Sequence, residues 1–311
     1  MLLPHISAGA ISYFAGTKNK KGRLFKLEKI TISMDSGFDV PEELIQKYHI
    51  KTVPVTLNMG NRIFDDNEIT PEEMTEWFYQ NKKKIITTSP PSSNEYYKFF
   101  TGRMHMGNTV IHLSLSSQMS ECYENAVMGA NTFNKVHVVD TRTVTIGAVP
   151  FILKIAQMQE QGKTAVEIVD NLHNEFYKKV HLSFLPNTLD FLHSGGKIRP
   201  VGKFLTLFLG IKPSIVLNPD EYFTADKKFK GEYETAVKEY IRYTFGNAKN
   251  VDRNLMWIGQ TTGFRKDLLE QCKNETEKSG DFKNISLIKT GCVITSHFGD
   301  NCIILCWKEK D

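Results

Sequence analysis

The spacing of apolar positions changes repeatedly along this chain, and each change predicts an element. KITISMDS (29–36) alternates apolar and small polar residues and then turns polar, as a strand ending in a turn does. VPEELIQKYH (40–49) predicts a helix and IKTVPVTL (50–57) a second strand. In TPEEMTEWFYQN (70–81), Thr70 is placed as an N-cap, Pro71 suits the first helical position and acidic residues fill the first turn. Hydroxyl-rich IITTSPPSS (85–93) leads into a helix-like NEYYKFF, with Thr88 or Ser89 as its predicted cap. TVIHLSLS (109–116) predicts a strand, QMSECYENAVMGANTF (118–133) a helix and KVHVVDT (135–141) a strand. Two helices follow, GAVPFILKIAQMQEQG and TAVEIVDNLHNEFYKK, with Gly162 as the C-cap between them. Strands alternating with helices over such a span predict a parallel sheet covered on both faces.

The pattern changes near residue 180. HLSFLP and the helix TLDFLHSG lead into GGKIRP, and GIKPSIVLNPDEYFTA reads as two short strands joined by a turn at Asn218 to Glu221. The helix ETAVKEYIRYTFG, the strand LMWIGQ and the helix RKDLLEQCKNETEKSG come next. SLIKTGCVITSH and NCIILCWKE read as a final strand pair joined by the turn FGDN. The expected fold is therefore α/β with two domains. One, at 29–179, has a parallel sheet flanked by helices; the other, at 180–311, has a mixed or antiparallel sheet with helices. Residues 1–28 are an N-terminal extension ahead of them.

Composition narrows the class. A chain of 311 residues exceeds one comfortable core, which agrees with two domains. The net charge of +4 is small, and no segment has the dense basic stripe that phosphate neutralisation needs, so nucleic acid is not an expected partner. KNKKGR at 18–23 and KKK at 82–84 read as solvated surface. No run of about 18 apolar residues predicts a transmembrane segment. The apolar start is broken by Pro4, His5, Ser7 and Gly9, and its basic residues follow it, an order unlike a secretory signal. Five cysteines without CxxC spacing suggest a reducing, cytoplasmic compartment and no metal site. Cys302 and Cys306 read as small core residues.

Candidate chemistry lies in the hydroxyls. Thr88 and Ser89 precede one predicted helix, Ser116 and Ser117 another, and Asp35 and Ser36 follow the first strand. In a parallel sheet such junctions gather at the carboxyl ends of the strands, where ligands bind. Helix N-termini favour an anion, and hydroxyls can donate further hydrogen bonds to it. Any one of these sites could be a plain helix cap; two clusters together suggest an oxygen-rich ligand such as a carboxylate. A serine-dependent hydrolase using Ser116 or Ser117 with His297 is a competing reading, although G-x-S-x-G is absent. A regulatory or nucleic-acid-binding module is another. Asp35, Asp39, Asp65 and Asp66 read as turn-forming acids.

The ordered set of motifs resembles the DegV family. It comprises ISMDSGFDVP, VPVTL, ITTSPPS, HLSLSSQMSECYENA, VHVVDTRTVTIGA, FLPNTLDFLHSGGKIRPVGKFLTLFLGIKPSIVL, KKFKGEYETAVKEY and TGCVITSHFGDN. The resemblance runs from about Lys29 to the C-terminus. It implies a protein that is not itself an enzyme and needs no cofactor, holding a long-chain fatty acid between two domains. The acid's carboxylate would be bonded by Thr88, Ser89, Ser116 and Ser117, with His297 beside it. FLTLFLG (204–210) is a candidate lining for the tail. Some members present the acyl carboxylate to a separate fatty-acid kinase, and there the matching positions near the phosphate are His297 and Lys197. This chain has Lys197 where the family has arginine, a point charge in place of a planar fork. HFGDN stands for H-x-G-P-G, which adds a carboxylate, and SEC stands for S-G-T after the serine pair.

Overall fold

The computed structural model describes residues 28–104, 108–191, 210–218 and 222–311. Four parallel strands, β1 (Ile30–Asp35), β2 (Lys51–Val53), β6 (Thr109–Ser114) and β7 (Val136–Asp140), form one sheet in the order β2-β1-β6-β7. Every residue of β6 is buried, as expected of a parallel strand covered on both faces. On one face Tyr96 and Phe100 of α3 (Ser93–Met104) and Ala126 and Ala130 of α4 (Cys122–Ala130) pack on Val53, Val110 and Val136. On the other face lie α5 (Ala148–Glu160) and α6 (Ala165–Asn174). Between them Gly162 has φ 77, the left-handed conformation that lets the chain leave α5.

Six strands form the second sheet: β8 (Val180–Leu185), β9 (Ile211–Leu217), β10 (Phe223–Lys230), β11 (Met256–Gln260), β12 (Ile285–Lys289) and β13 (Ile303–Lys308). Their order is β10-β9-β8-β13-β11-β12, antiparallel except for β11 with β12. Alternation divides β13 between two cores. Cys302, Ile304 and Cys306 join the cluster that contains α5 and the inner face of the parallel sheet. Ile303, Leu305 and Trp307 face α7 (Tyr233–Asn247) and α8 (Lys266–Gly280). Helix α5 is apolar nearly all round because this shared core lies against it from both sheets.

A third sheet, antiparallel in the order β4-β3-β5, comprises β3 (Thr56–Met59), β4 (Arg62–Asp65) and β5 (Ile86–Ser89). It packs with α2 (Pro71–Gln80) against Phe191 and Cys292. Thr70 caps α2 with a reciprocal bond to Glu73, as its sequence predicts.

Four expectations need correction. IKTVPVTL is two strands in different sheets, because Pro54 has no N–H to continue a ladder. Thr88 and Ser89 are not caps but end strand β5; Ser92 caps α3, exchanging bonds with Glu95. Ser116 and Ser117 lie in a turn before α4, which starts only at Cys122. CVITSHF is helix α9 (Cys292–Phe298), not a strand, with Gly291 as its N-cap. The predicted extension up to residue 27, Lys197, most of FLTLFLG and the centre of the turn at 218–221 lie outside the described residues.

Candidate functional site

A cavity lies where the three sheets approach one another. Val55 and Thr88 of the small sheet, with Pro90, form one wall; Leu115, Met119 and Ser120, beyond the carboxyl end of β6, form a second. Helix α9 contributes Val293, Ile294, His297 and Phe298, whose one- and four-residue spacings put them on one face. Val144, Phe191 and Phe223 complete an apolar lining with few polar atoms.

Strand parity decides which hydroxyls reach it. Thr88 lies opposite fully buried Leu57 and shares its inward face, while Ser89 lies opposite Thr56 on the outer face. Thr88 Oγ1 is 3.0 Å from His297 Nε2 inside the cavity. Ser89 is exposed and its hydroxyl accepts a bond from Asn58. Ser117 donates its hydroxyl to Asp140 at 2.6 Å, and its N–H reaches the same carboxylate. It lines a separate polar recess with Asp140, Arg142 and His173. Ser116 is buried and its Oγ accepts the Gln118 N–H. The structure thus brings Thr88 and His297 together and uses Ser116 and Ser117 to shape the turn that delivers Ser120.

Ser120 is the cavity hydroxyl that the sequence reading passes over. Its Oγ accepts the Cys122 N–H and donates to the Cys122 sulfur. A third hydroxyl after a serine pair was the available signal.

Two carboxylates read as turn formers are buried supports. Asp35 ends β1 and accepts bonds from Tyr96, His112, Ser114 and the Leu115 N–H. Burial alone would raise its carboxyl, but the hydrogen bond and charge of His112, with the other donors, hold it below its ordinary range. Asp39 reaches across the molecule: Oδ1 accepts the Gly291 N–H at 2.6 Å and Oδ2 accepts the Thr145 hydroxyl at 2.5 Å. It therefore ties the start of α9, and with it His297, to the loops after β1 and β7. Thr145 has φ 50, a strained conformation for a β-branched residue, and its hydroxyl bond to Asp39 helps hold it there. Burial pushes Asp39 up to about 7, and Asp66 nearby up to about 6.

Among the described residues, no cluster of His, Cys, Asp or Glu could hold a metal, and no helix is long and apolar enough to cross a membrane. All five cysteines are buried thiols. The arrangement is an apolar pocket with a hydroxyl–imidazole pair on its wall, suited to a ligand with an apolar part and one polar end.

Comparison with known proteins gives one consistent result. The model of the DegV family, described as an uncharacterised protein family, matches residues 29–310. A DegV domain-containing protein of Caldanaerobacter subterraneus subsp. tengcongensis is 28% identical over 289 residues, covering 91% of this chain and all of the relative. Among solved structures, a DegV family protein from Thermus thermophilus, described for its fatty-acid binding, superposes with a TM-score of 0.78 at 24% identity. It covers 91% of this chain and all of its own. A DegV family protein from Ruminococcus gnavus, described with vaccenic acid, has a TM-score of 0.79 at 19% identity, covering 90% of this chain and all of its own.

Proposed function

The chain belongs to the DegV family, and on that footing we propose that it binds a long-chain fatty acid in the cavity beside α9 and carries or presents it. The observation that carries this reading is the Thr88–His297 pair, 3.0 Å apart, in an otherwise apolar lining. A carboxylate there would accept from the Thr88 hydroxyl, with His297 Nε2–H donating to the threonine oxygen behind it. Ser116 and Ser117 act behind it by holding the turn, and Ser89 has no part. The tail lies along Leu115, Val144, Val293 and Phe298. Each buried methylene contributes about 0.8 kcal/mol, so a long chain binds well even after the ordering cost of association. The polar end sets orientation and the tail supplies most of the affinity.

Fatty-acid-binding relatives of the same fold support this reading over the hydrolase, as does the engagement of Ser117 by Asp140. Mass spectrometry of lipid extracted from the purified protein tests it. Bound fatty acid, or uptake of added oleate or palmitate, is expected; protein that carries none and takes up none contradicts it.

The finer part of the proposal is presentation of the carboxylate to a fatty-acid kinase, with His297 and Lys197 serving the transferred phosphate. Asp300, three residues beyond His297, accepts a bond from the Tyr79 hydroxyl and brings negative charge to this end of the fold. His297→Ala should slow acyl-phosphate formation by a kinase from the same cell while oleate uptake persists. No phosphorylation with the wild-type protein would refute this part alone.

A further inference from the structure

The run KKK at 82–84 has no role in the cavity, yet it belongs to a built surface. Ile63 is 70% exposed and Ile85 55% exposed. Ile63 lies opposite Asn58 and Asn58 opposite Thr87, so with the two-residue period Ile63 and Ile85 share the outer face of the small sheet. Exposed Lys82 and Lys84 flank them, whereas Arg62, one residue before Ile63, turns to the inner face over the Phe64 ring. Lys83 differs: it pairs with Asp190 at 2.6 Å. The lysines are not on a loose strand end. Lys82 and Lys83 hold left-handed φ values of 55 and 58, fixed by Lys83 N–H to Phe78 O and Lys84 N–H to Asn81 O. Gly60 at the β3–β4 turn, φ 68, leaves room for two neighbours. Where its Cβ would stand, the Trp77 ring is 3.3 Å away and Lys84 Nζ 3.6 Å away.

We propose that this end of the small sheet docks the protein on an anionic bilayer surface. Two bare isoleucines enter the headgroup boundary, Lys82 and Lys84 meet acidic headgroups, and Trp77 lies at the level of the interface. Charge complementarity fixes the occupant: apolar tips flanked by lysines match an anionic membrane. The proposal rests on the fatty-acid reading for its purpose, since such a ligand is stored in bilayers. Thr88 follows Ile85 on the same strand by three residues, roughly 10 Å, so docking brings the cavity wall close to that store.

The test is flotation of the full chain with phosphatidylglycerol-containing vesicles and with pure phosphatidylcholine vesicles, alongside oleate uptake from albumin. Wild type should float with the anionic vesicles only. I63S/I85S and K82E/K84E should each weaken that by roughly tenfold or more, while oleate uptake changes by less than about twofold. Raising the salt from about 0.05 to about 0.5 M should release the protein. Flotation of I63S/I85S equal to wild type, or equal flotation with neutral vesicles, overturns the proposal. Self-association lost in I63S/I85S, without flotation, assigns the surface to a second copy of the chain and also overturns it. Normal oleate uptake without vesicle binding refutes docking alone; vesicle binding without oleate uptake refutes the fatty-acid reading and leaves docking standing.

Discussion

Replacing Asp39 by asparagine should make the protein increasingly stable relative to wild type as the pH rises. Asp39 is only 8% exposed. Burial pushes its carboxyl up to about 7, against bonds from Thr145 and the Gly291 N–H and with Asp66 adding to the rise. In the unfolded chain the same group titrates near 3.8. Between these values the folded protein holds a proton that the unfolded chain has lost, so stability falls as the pH rises. About three pH units, at about 1.4 kcal/mol each, make the loss on the order of 4 kcal/mol, complete above about pH 7. The asparagine amide keeps an oxygen for the Gly291 N–H, offers its NH₂ to the Thr145 oxygen and never ionises. Urea unfolding of D39N and wild type from about pH 5 to about pH 8 reads the difference directly. It should grow by about 1.4 kcal/mol per unit up to about pH 7 and then level off. A flat difference would mean that the carboxyl is ionised throughout. That result, in which the Gly291 N–H and the Thr145 hydroxyl outweigh burial, refutes the reasoning.

Two further changes test the framework of the site. Tyr96→Phe removes a donor from the buried Asp35 carboxylate and should cost about 1.5–3 kcal/mol at neutral pH by urea unfolding. That penalty should shrink below the ordinary carboxyl value of 3.8, as the group gains a proton. Gly129→Ala would put a Cβ 2.6 Å from Tyr96 Cβ and 2.7 Å from the Ser93 carbonyl, where α4 crosses α3. It should cost about 1–3 kcal/mol, whereas Gly102→Ala, with nothing within 4 Å, should gain up to about 1 kcal/mol.

The parallel sheet and its helices are legible because their apolar periods are long and their caps local. Thr70 with Glu73 marks the start of α2, and Gly162 the exit from α5, with no help from tertiary structure. The errors arise where local signals compete or vanish. CVITSHF is buried at six of its seven positions, so no polar face reveals a helical period, and its β-branched residues favour a strand. What anchors it as a helix is Asp39, over 250 residues earlier in the chain. TTSPPSS holds several candidate caps; the S-x-x-E spacing of Ser92 and Glu95 was the better guide. Thr88 enters the cavity through strand parity, which no capping argument could supply. Two of the acids read as turn formers, Asp35 and Asp39, are buried, because burial depends on the neighbours that other segments bring.

The central claim is that a lipid carboxylate binds at Thr88. Thr88→Val keeps the shape and removes the hydroxyl, so the decisive measurement is the affinity of both proteins for oleic acid and for methyl oleate. A hydrogen bond to a charged group is worth about 1.5–3 kcal/mol, so the acid should lose roughly tenfold to a hundredfold in affinity and the ester far less. Equal losses for acid and ester, a coupling energy near zero, would contradict the claim.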